Sequence, residues 1–456
     1  ENNGHGYWEQ SLSQVEFWDI ADEMSTSKAI FTQGSYEFNE KLTLTLGVRH
    51  SWDERSTGGG NYVCNRSDAD GNGDACFPKR PPNSAARTEL NGLSDDYFFS
   101  QFDIDQANGF TSPDGYQLLA ERNNSGEWDD TTWRVGLDYA ISDDTLVYGY
   151  VANGYKAGGY TSGVNDFDGN PVDTNYDPEQ VITYELGMKS TMLDNSLNLS
   201  LAYFYSDYQD QQFSRPVTVD ERTVDADGDG VPDIDPDTGV VIVETLTPLL
   251  TSNLDKSVIQ GLEAEFDWVP WDNGRISGFA TWMDSEVTSE TTTKWNHLLS
   301  YTFGHLPSSE RGDHTNPELQ VNLEGNELPF TPTYAFTVKI EHDFAMPFGG
   351  VLTPFVSMHW EDESYLQIWN VDKHLDDMNF DPRINPLSVT DKRDAWKKID
   401  ATLRYTSDSE NWFVEAFVNN ATDESTIKYQ KGNQSFTRGM YELPRHYGVR
   451  FNYIFD

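Results

Sequence analysis

The stretch ITYELGMKSTMLDNSLNLSLAYFY, residues 182–205, holds two runs of alternating apolar and polar residues separated by the short segment LDN. Residues that alternate with period two lie on one face of a β-strand, and a short polar segment between two such runs is typical of a tight turn. The residues that share the apolar face are Tyr184, Leu186, Met188, Leu197, Leu199, Leu201, Tyr203 and Tyr205. The stretch therefore predicts an antiparallel hairpin with one apolar face.

The same alternation recurs along the chain, whereas helical periodicity is nearly absent. Further examples are LTLTLGVRHSW (42–52), WRVGLDY (133–139), GLEAEFDW (261–268), YAFTVKIE (334–341), IDATLRY (399–405) and HYGVRFNYIF (446–455). Counting back from the C-terminus gives about 14 such strands, which is an even number, as single-chain bacterial barrels have. The sequence therefore predicts an all-β protein.

The two faces of these strands differ in a way that indicates a membrane. The apolar faces end in aromatic residues at both strand ends, for example Trp52, Trp268, Trp282, Trp360 and Tyr405. Such girdles are expected where a lipid-facing band meets the headgroups. The polar faces carry charges of both signs, which suits a wet or plugged interior. Candidates for that interior are Arg134, Glu185, Lys189, Glu263, Glu265, Lys339, Glu341 and Arg404.

The lengths of the connections give an independent argument. Short turns are expected at residues 39–41, 142–144, 193–195, 271–274, 347–350 and 407–411. Long polar connections are expected near 57–125, 158–178, 214–248, 292–326, 366–392 and 425–440. Strict alternation of short and long connections is the pattern of an outer-membrane barrel. We therefore predict a transmembrane antiparallel up-and-down β-barrel that occupies residues 1–456.

The composition fits this fold and excludes some functions. The chain has 456 residues, 76 Asp and Glu against 31 Lys and Arg, and a formal charge of −45. A chain this acidic repels phosphate groups, so nucleic acid is not expected as a partner. No apolar run approaches the roughly 18 residues of a transmembrane helix, but barrel strands need only every second residue to be apolar.

Two loop features suggest that the loops lie in an oxidising compartment and that they bind calcium. Cys64 and Cys76 flank a polar, turn-forming segment, and we expect a disulfide there, the alternative being two reduced thiols. In the segment VDADGDGVPDIDPDTG, residues 224–239, alternate carboxylates followed by glycine resemble the start of a calcium loop.

The candidate calcium ligands in this segment are Asp225, Asp227, Asp229, Asp233 and Asp235. An EF-hand is excluded because its twelfth position is Pro236 rather than glutamate. The alternative is a solvated acidic loop. A weaker set of candidate calcium ligands consists of Asp68, Asp70, Asn72 and Asp74. The segment NDFDGN (165–170) is also acidic, but a turn is the favoured interpretation there.

Several segments together resemble the C-terminal barrel of TonB-dependent outer-membrane receptors. They are FTQGSYEFNEKLTLTLGVRHSWDE (31–54), TLVYGYVANGYKAGGY (145–160), NYDPEQVITYELGMKSTMLDNSLNLSLAYFYSDYQDQQ (175–212), SVIQGLEAEFDW (257–268) and the closing RHYGVRFNYIF. The resemblance implies a Gram-negative outer membrane with lipid and lipopolysaccharide around the barrel and loops that face the exterior. It also implies a 22-stranded barrel, an N-terminal plug, and import energised by the TonB complex.

The chain departs from the family pattern in one respect. It contains no plug, no TonB box and no early strands, so it looks like the last 14 strands of such a barrel. An open sheet would leave two unpaired edges in lipid, which is costly. We therefore expect that the remaining strands lie outside this chain or that a partner chain supplies them. An intact mass limited to these residues would favour a small porin instead.

The resemblance implies an importer rather than an enzyme, and the scattered histidines and the GYKAGG segment (154–159) match no catalytic or phosphate-binding motif. A ferric siderophore or related iron complex is the expected cargo. An oligosaccharide is the alternative, because acidic loops repel anionic chelates. A secreted calcium-binding β-rich adhesin is the alternative from another class. Candidate cargo contacts are Tyr155, Lys156, Trp295, Tyr301, Tyr365 and Trp369. Packing is the expected role for most loop aromatics, and a purely structural role is favoured for Tyr155 and Lys156, which with Gly158 and Gly159 lie where a strand emerges into an outer loop.

Overall fold

The structure is a computed structural model that describes residues 6–9, 15–65, 116–121, 124–161, 164, 166–168, 170, 172–223, 230–234, 241, 243–246, 248–294, 320–374, 391–432 and 437–455. The first strands are β1 (Gly6–Glu9), β2 (Val15–Asn39), β3 (Leu42–Asn65), β4 (Tyr116–Glu121), β5 (Asn124–Ser142), β6 (Thr145–Lys156), β7 (Gly159–Tyr160), β8 (Asn175–Tyr176), β9 (Glu179–Met192), β10 (Leu197–Pro216), β11 (Asp220–Thr223), β12 (Val243–Leu246) and β13 (Leu249–Trp271). They are followed by β14 (Gly274–Val287), β15 (Thr292–Lys294), β16 (Gln320–Asn322), β17 (Tyr334–His342), β18 (Phe344–Ala345), β19 (Val351–Glu361), β20 (Ser364–Tyr365), β21 (Lys392–Arg393), β22 (Trp396–Thr406), β23 (Trp412–Asn419), β24 (Ile427–Gly432), β25 (Thr437–Tyr441) and β26 (His446–Tyr453).

One large antiparallel sheet dominates the described residues. Its order is β1-β2-β3-β5-β6-β9-β10-β13-β14-β17-β19-β22-β23-β26, so fourteen strands follow one another in chain order. Five two-stranded sheets, β7–β8, β11–β12, β15–β16, β20–β21 and β24–β25, belong to the long connections. The helical structure in the described segments is a single 3-10 turn, Val371–His374. The predicted all-β fold with about 14 sequential strands is confirmed.

The connections alternate in length as predicted, which divides the sheet into a short-turn end and a long-loop end. The turn between β9 and β10 has three successive residues at positive φ, Leu193, Asp194 and Asn195, with φ of 54°, 55° and 67°. Asp and Asn tolerate this region better than most residues. At the other end β3 extends to Asn65, beyond the boundary expected near residue 57. The glycines 58–60 interrupt the apolar pattern, but the ladder continues because backbone hydrogen bonds need no side chain.

The apolar face of the large sheet is exposed, the reverse of a water-soluble sandwich. Leu186 is 62% exposed, Leu137 48% and Leu262 46%. Burying such side chains against hydrocarbon is favourable and leaving them in water is not. No helix among the described residues is both long and apolar enough to span a membrane. The alternation thus produces the apolar outer surface that lipid requires.

Aromatic side chains gather at both ends of the apolar face. At the short-turn end Trp271 Nε1 lies 2.9 Å from His342 Nδ1, and the rings of Tyr405 and Trp412 are 5.5 Å apart. At the long-loop end the imidazole of His50 packs 4.3 Å from the ring of Trp52. Further pairs are Phe336–Trp360, Tyr184–Tyr205, Phe348–Tyr405 and Trp412–Phe451. These belts occupy the positions that the sequence predicts for a headgroup girdle.

The assignment of faces predicts opposite effects for two neighbouring residues of β5. Leu137 lies midway along the apolar face and Asp138 lies on the polar face. We expect Leu137→Arg to lower the free energy of unfolding in lipid vesicles by roughly 2–4 kcal/mol, the cost of a cation at the bilayer midplane. Asp138→Arg is the matched control and should change it far less. Equal losses, measured by urea titration of the intact protein, would contradict the assignment.

Candidate functional site

The polar face of the sheet carries the candidate interior. The strand register places all eight predicted interior residues, Arg134, Glu185, Lys189, Glu263, Glu265, Lys339, Glu341 and Arg404, on the same face. Glu185 accepts hydrogen bonds from the hydroxyl groups of Tyr148 at 2.9 Å and Tyr150 at 2.6 Å. The Arg134 guanidinium lies 3.8 Å from the ring centroid of Tyr150, within cation–π range. Three neighbouring strands are thus joined by side chains as well as by the ladder.

A second cluster on this face joins the last three strands of the large sheet, β22, β23 and β26. The Glu415 side chain is buried, and its carboxylate accepts bonds from Arg404 Nε at 2.8 Å and Nη2 at 2.6 Å. Arg450 Nη1 lies 3.2 Å from the other carboxylate oxygen. The sequence indicates only Arg404, because recognising the other two residues requires the register that sets 404 opposite 415 and 415 opposite 450.

These clusters can hold a polar passage, but they do not form a catalytic arrangement. In the second cluster the charges are paired across strands, whereas in the first Glu185 accepts hydrogen bonds from two tyrosines and Arg134 stacks on one of them. No nucleophile with an adjacent base stands among these residues. In the described ranges no group of three His, Cys, Asp or Glu residues could hold a metal ion.

At the long-loop end of β6, the predicted contact residues Tyr155 and Lys156 lie beside each other in the ladder. Tyr155 pairs with Gln180 and Lys156 with Glu179, whose carboxylate is 3.9 Å from the Lys156 ammonium. The Lys156 side chain is 60% exposed, so it remains accessible to a ligand.

The glycines after Lys156 have a structural role. A Cβ on Gly158 would lie 2.6 Å from the carbonyl oxygen of Tyr176 and 2.3 Å from Nε1 of Trp128. A Cβ on Gly159 would lie 2.2 Å from the Tyr176 hydroxyl. Only glycine permits residues 158–159 to approach Trp128 and Tyr176 this closely. Gln212 fastens the same region, because its side-chain amide donates to the carbonyl groups of Ala157 and Asp177 at 2.9 and 3.1 Å.

The predicted contact residues Tyr365 and Trp369 lie in a small apolar core built by two long connections. We call this core, together with the residues that hold it by hydrogen bonds and ion pairs, the loop platform. It comprises residues 285–291, 320–332, 361–374 and 391–393. Tyr365 is 2% exposed and Trp369 7%. Five further buried apolar residues belong to the platform: Val287, Leu323, Leu328, Leu366 and Ile368. In this conformation both aromatics pack between loops, the role expected for most loop aromatics.

Tyr365 is held in place by its polar neighbours. Its hydroxyl donates to a carboxylate oxygen of Asp372. The ammonium groups of Lys373 and Lys392 lie 5.6 and 5.3 Å from its ring centroid. Burial and the hydrogen bond to Asp372 raise the pKa of the Tyr365 hydroxyl above its usual range, so the phenol stays protonated.

The remaining predicted site residues lie mostly outside the described residues. This holds for Cys76, Trp295 and Tyr301, for Asp225, Asp227, Asp229 and Asp235, and for the weaker set Asp68, Asp70, Asn72 and Asp74. Cys64 is described only as backbone at the end of β3, so the disulfide with Cys76 stays a prediction. Asp233 is described, and Gly230 has a φ of 82°, which suits the bend of the predicted calcium loop. Calcium binding stays a prediction.

The segment 165–170 contains a turn. Asp166 Oδ1 accepts hydrogen bonds from the backbone N–H groups of Asp168 at 3.0 Å and Asn170 at 2.7 Å. A carboxylate that accepts from the backbone two residues on is typical of an Asx-turn. This agrees with the expectation from the sequence.

The glycine packing predicts a sharp difference between two identical substitutions. Gly158→Ala should destabilise the protein by about 1–3 kcal/mol, because the new methyl group meets backbone and ring atoms that cannot move aside. At Gly149 the nearest atom to a Cβ is 3.4 Å away, so Gly149→Ala should be neutral or stabilising by about 0.5–1 kcal/mol. Thermal unfolding of both variants in detergent tests this; equal stability would contradict the assigned role of Gly158.

Comparison with known proteins identifies the family. The family described as TonB dependent receptor-like, beta-barrel, matches residues 6–421. The curated protein "Probable TonB-dependent siderophore receptor PiuA" of Acinetobacter baumannii is 22% identical over 307 residues, which cover 65% of this chain and 34% of that protein.

Solved structures show the same fold at low sequence identity. The ferric yersiniabactin uptake receptor FyuA of Yersinia pestis superimposes with a TM-score of 0.58 at 15% identity, covering 99% of this chain and 53% of that one. The siderophore receptor PiuA of Acinetobacter baumannii gives 0.55 at 17% identity, covering 95% and 44%. The chain thus spans about half the length of these structures and a third of the curated relative. The matched family is one of receptors and transporters of the Gram-negative outer membrane. The chain belongs to the TonB-dependent receptor family, within its β-barrel domain.

Proposed function

We propose that this chain is part of an outer-membrane importer of a ferric siderophore or a related iron complex, energised through TonB. One observation carries the proposal: the sheet has an apolar lipid-facing side and a polar face of paired charges, in a chain of this receptor family. The PiuA relative is described as a probable TonB-dependent siderophore receptor and FyuA as a ferric yersiniabactin uptake receptor, which favours iron complexes over the alternative cargo, an oligosaccharide.

The two ends of the sheet favour one orientation. The long connections contain packed structure, including the loop platform and the glycine contacts after Lys156, so they offer built surfaces for recognition. The turn between β5 and β6 contains only Asp143 and Asp144, which offers little surface. We therefore place the long-loop end at the cell exterior and the short-turn end in the periplasm.

The polar face supports a role for an energy source. Some of its charged groups are paired with one another, as in the Arg404–Glu415–Arg450 cluster, and a plug that fills the interior would meet this polar surface. Breaking charge pairs and hydrogen bonds to move a plug costs free energy. TonB, acting through a plug that the family resemblance implies, would supply that work.

Among the predicted contacts, Lys156 is the best placed to meet cargo. It is exposed beside Tyr155 at the long-loop end, whereas Tyr365 and Trp369 are enclosed in the platform. We expect Lys156→Ala to weaken binding of the ferric complex by about tenfold, the loss of one charge-assisted hydrogen bond. Lys41→Ala, in the turn between β2 and β3, is the matched control and should bind as the parent protein does. Equal affinities of both variants would remove Lys156 from the contact surface.

The function is tested by uptake of radioactive iron complexes and glycans into iron-starved cells that carry this protein as their receptor. We expect saturable uptake of a ferric siderophore that stops when TonB is deleted, while binding to de-energised cells persists. Uptake of glycans with no iron complex bound would support the alternative cargo. Iron uptake that continues unchanged without TonB would contradict energisation.

A further inference from the structure

The apolar core of the described residues lies mainly in the loop platform rather than in the sheet. Seven of the ten buried apolar side chains belong to it: Val287 at the end of β14, and six from two successive connections, β14–β17 and β19–β22. Leu323 and Leu328 come from the first connection and Leu366 and Ile368 from the second, and hydrogen bonds between the two connections bring these segments together. A shared apolar core makes the stability of each connection depend on the other.

Two fully buried asparagines fasten this core. The Asn326 amide donates to the carbonyl groups of Ile368 at 2.9 Å and Trp369 at 3.2 Å. In return, Asn370 Oδ1 accepts from the backbone N–H of Glu327 at 2.7 Å, and its amide donates to the Glu327 carbonyl at 3.0 Å. Asn326 is 1% exposed and Asn370 0%. Water cannot replace these bonds while the core stays packed, so separating the connections would leave buried polar groups unpaired.

The platform is closed further by backbone bonds and a buried carboxylate. The Phe330 N–H donates to the Tyr365 carbonyl at 2.8 Å, which again joins the two connections. Asp391, 2% exposed, accepts from the Asn370 N–H at 3.1 Å. The Lys373 ammonium lies 3.1 Å from the Glu327 carboxylate. Backbone hydrogen bonds, amide hydrogen bonds and an ion pair therefore all cross from one connection to the other.

We propose that the parts of the connections β14–β17 and β19–β22 that form the loop platform open and move as one body. Neither connection can move away alone, because the burial of its apolar residues and the hydrogen bonds of its asparagine side chain depend on the other connection. One consequence rests on the proposed function: arrival of the ferric complex moves both connections together or leaves both in place.

The next connection, β23–β26, provides a matched comparison. Asn420 is also 1% exposed, but its amide donates to the carbonyl groups of Glu424 and Leu443, within its own connection. Its backbone N–H bonds Asp400 of β22. An equally buried asparagine is thus used here to close one loop rather than to join two.

Hydrogen–deuterium exchange of the intact protein tests the proposal without any cargo. Asn326→Ala removes the amide from the first connection, and we expect faster exchange by roughly tenfold or more in peptides of 320–332 and, by the same factor, of 362–374. Asn420→Ala should speed exchange in 420–432 and leave the platform unchanged. Should Asn326→Ala fail to fold, Tyr365→Phe is the milder change, and its effect should likewise appear in 320–332.

Faster exchange confined to the substituted connection, in either variant, would overturn the proposal. A separate test adds the ferric siderophore. Protection from hydrogen–deuterium exchange should then change equally in both connections or in neither. A change in only one connection would also overturn it. Failure of every iron complex to bind would refute the proposed function and leave the exchange test of the platform standing.

Discussion

The structure depends on one constraint: a chain crossing hydrocarbon must satisfy each backbone N–H and C=O within the protein. A ladder of antiparallel strands meets it, and fourteen strands in chain order share such a ladder here. The ladder also fixes the register, and the register decides which side chains share a face. Leu186 is turned to lipid and Glu185 to the polar face because they are adjacent in β9.

This constraint inverts the usual placement of residues. Large apolar side chains of the sheet are exposed, whereas Glu415 is buried between two arginines. Conventional packing occurs where the chain leaves the sheet, in the loop platform, around residues such as Tyr365. In their described parts, the connections β14–β17, β19–β22 and β23–β26 use the buried amide groups of Asn326, Asn370 and Asn420 to hold chain segments together. Recognition surfaces placed on such units would be rigid before cargo arrives.

Much of the sheet could be predicted from the sequence, because alternation with period two and turn residues are local signals. The long β3 could not, since the glycines 58–60 carry no side-chain pattern. Pairing of Arg404 with Glu415 and Arg450 depends on the register, which the sequence does not state. The loop platform cannot be predicted from the sequence for the same reason. Asn326 and Asn370 are 44 positions apart, and nothing local indicates that both are buried. The predicted calcium loop and the disulfide depend on residues that the structure leaves undescribed.

The central claim is that the apolar face of this sheet meets lipid and the other face does not. The most direct test places a fluorophore on single cysteines at positions 183 to 188 of β9, one at a time, with Cys64 and Cys76 replaced by serine. Lipids that carry a nitroxide on the acyl chain are then used as quenchers. The account predicts strong quenching at 184, 186 and 188 and weak quenching at 183, 185 and 187. Quenching that is uniform, or strongest at the odd positions, would contradict it.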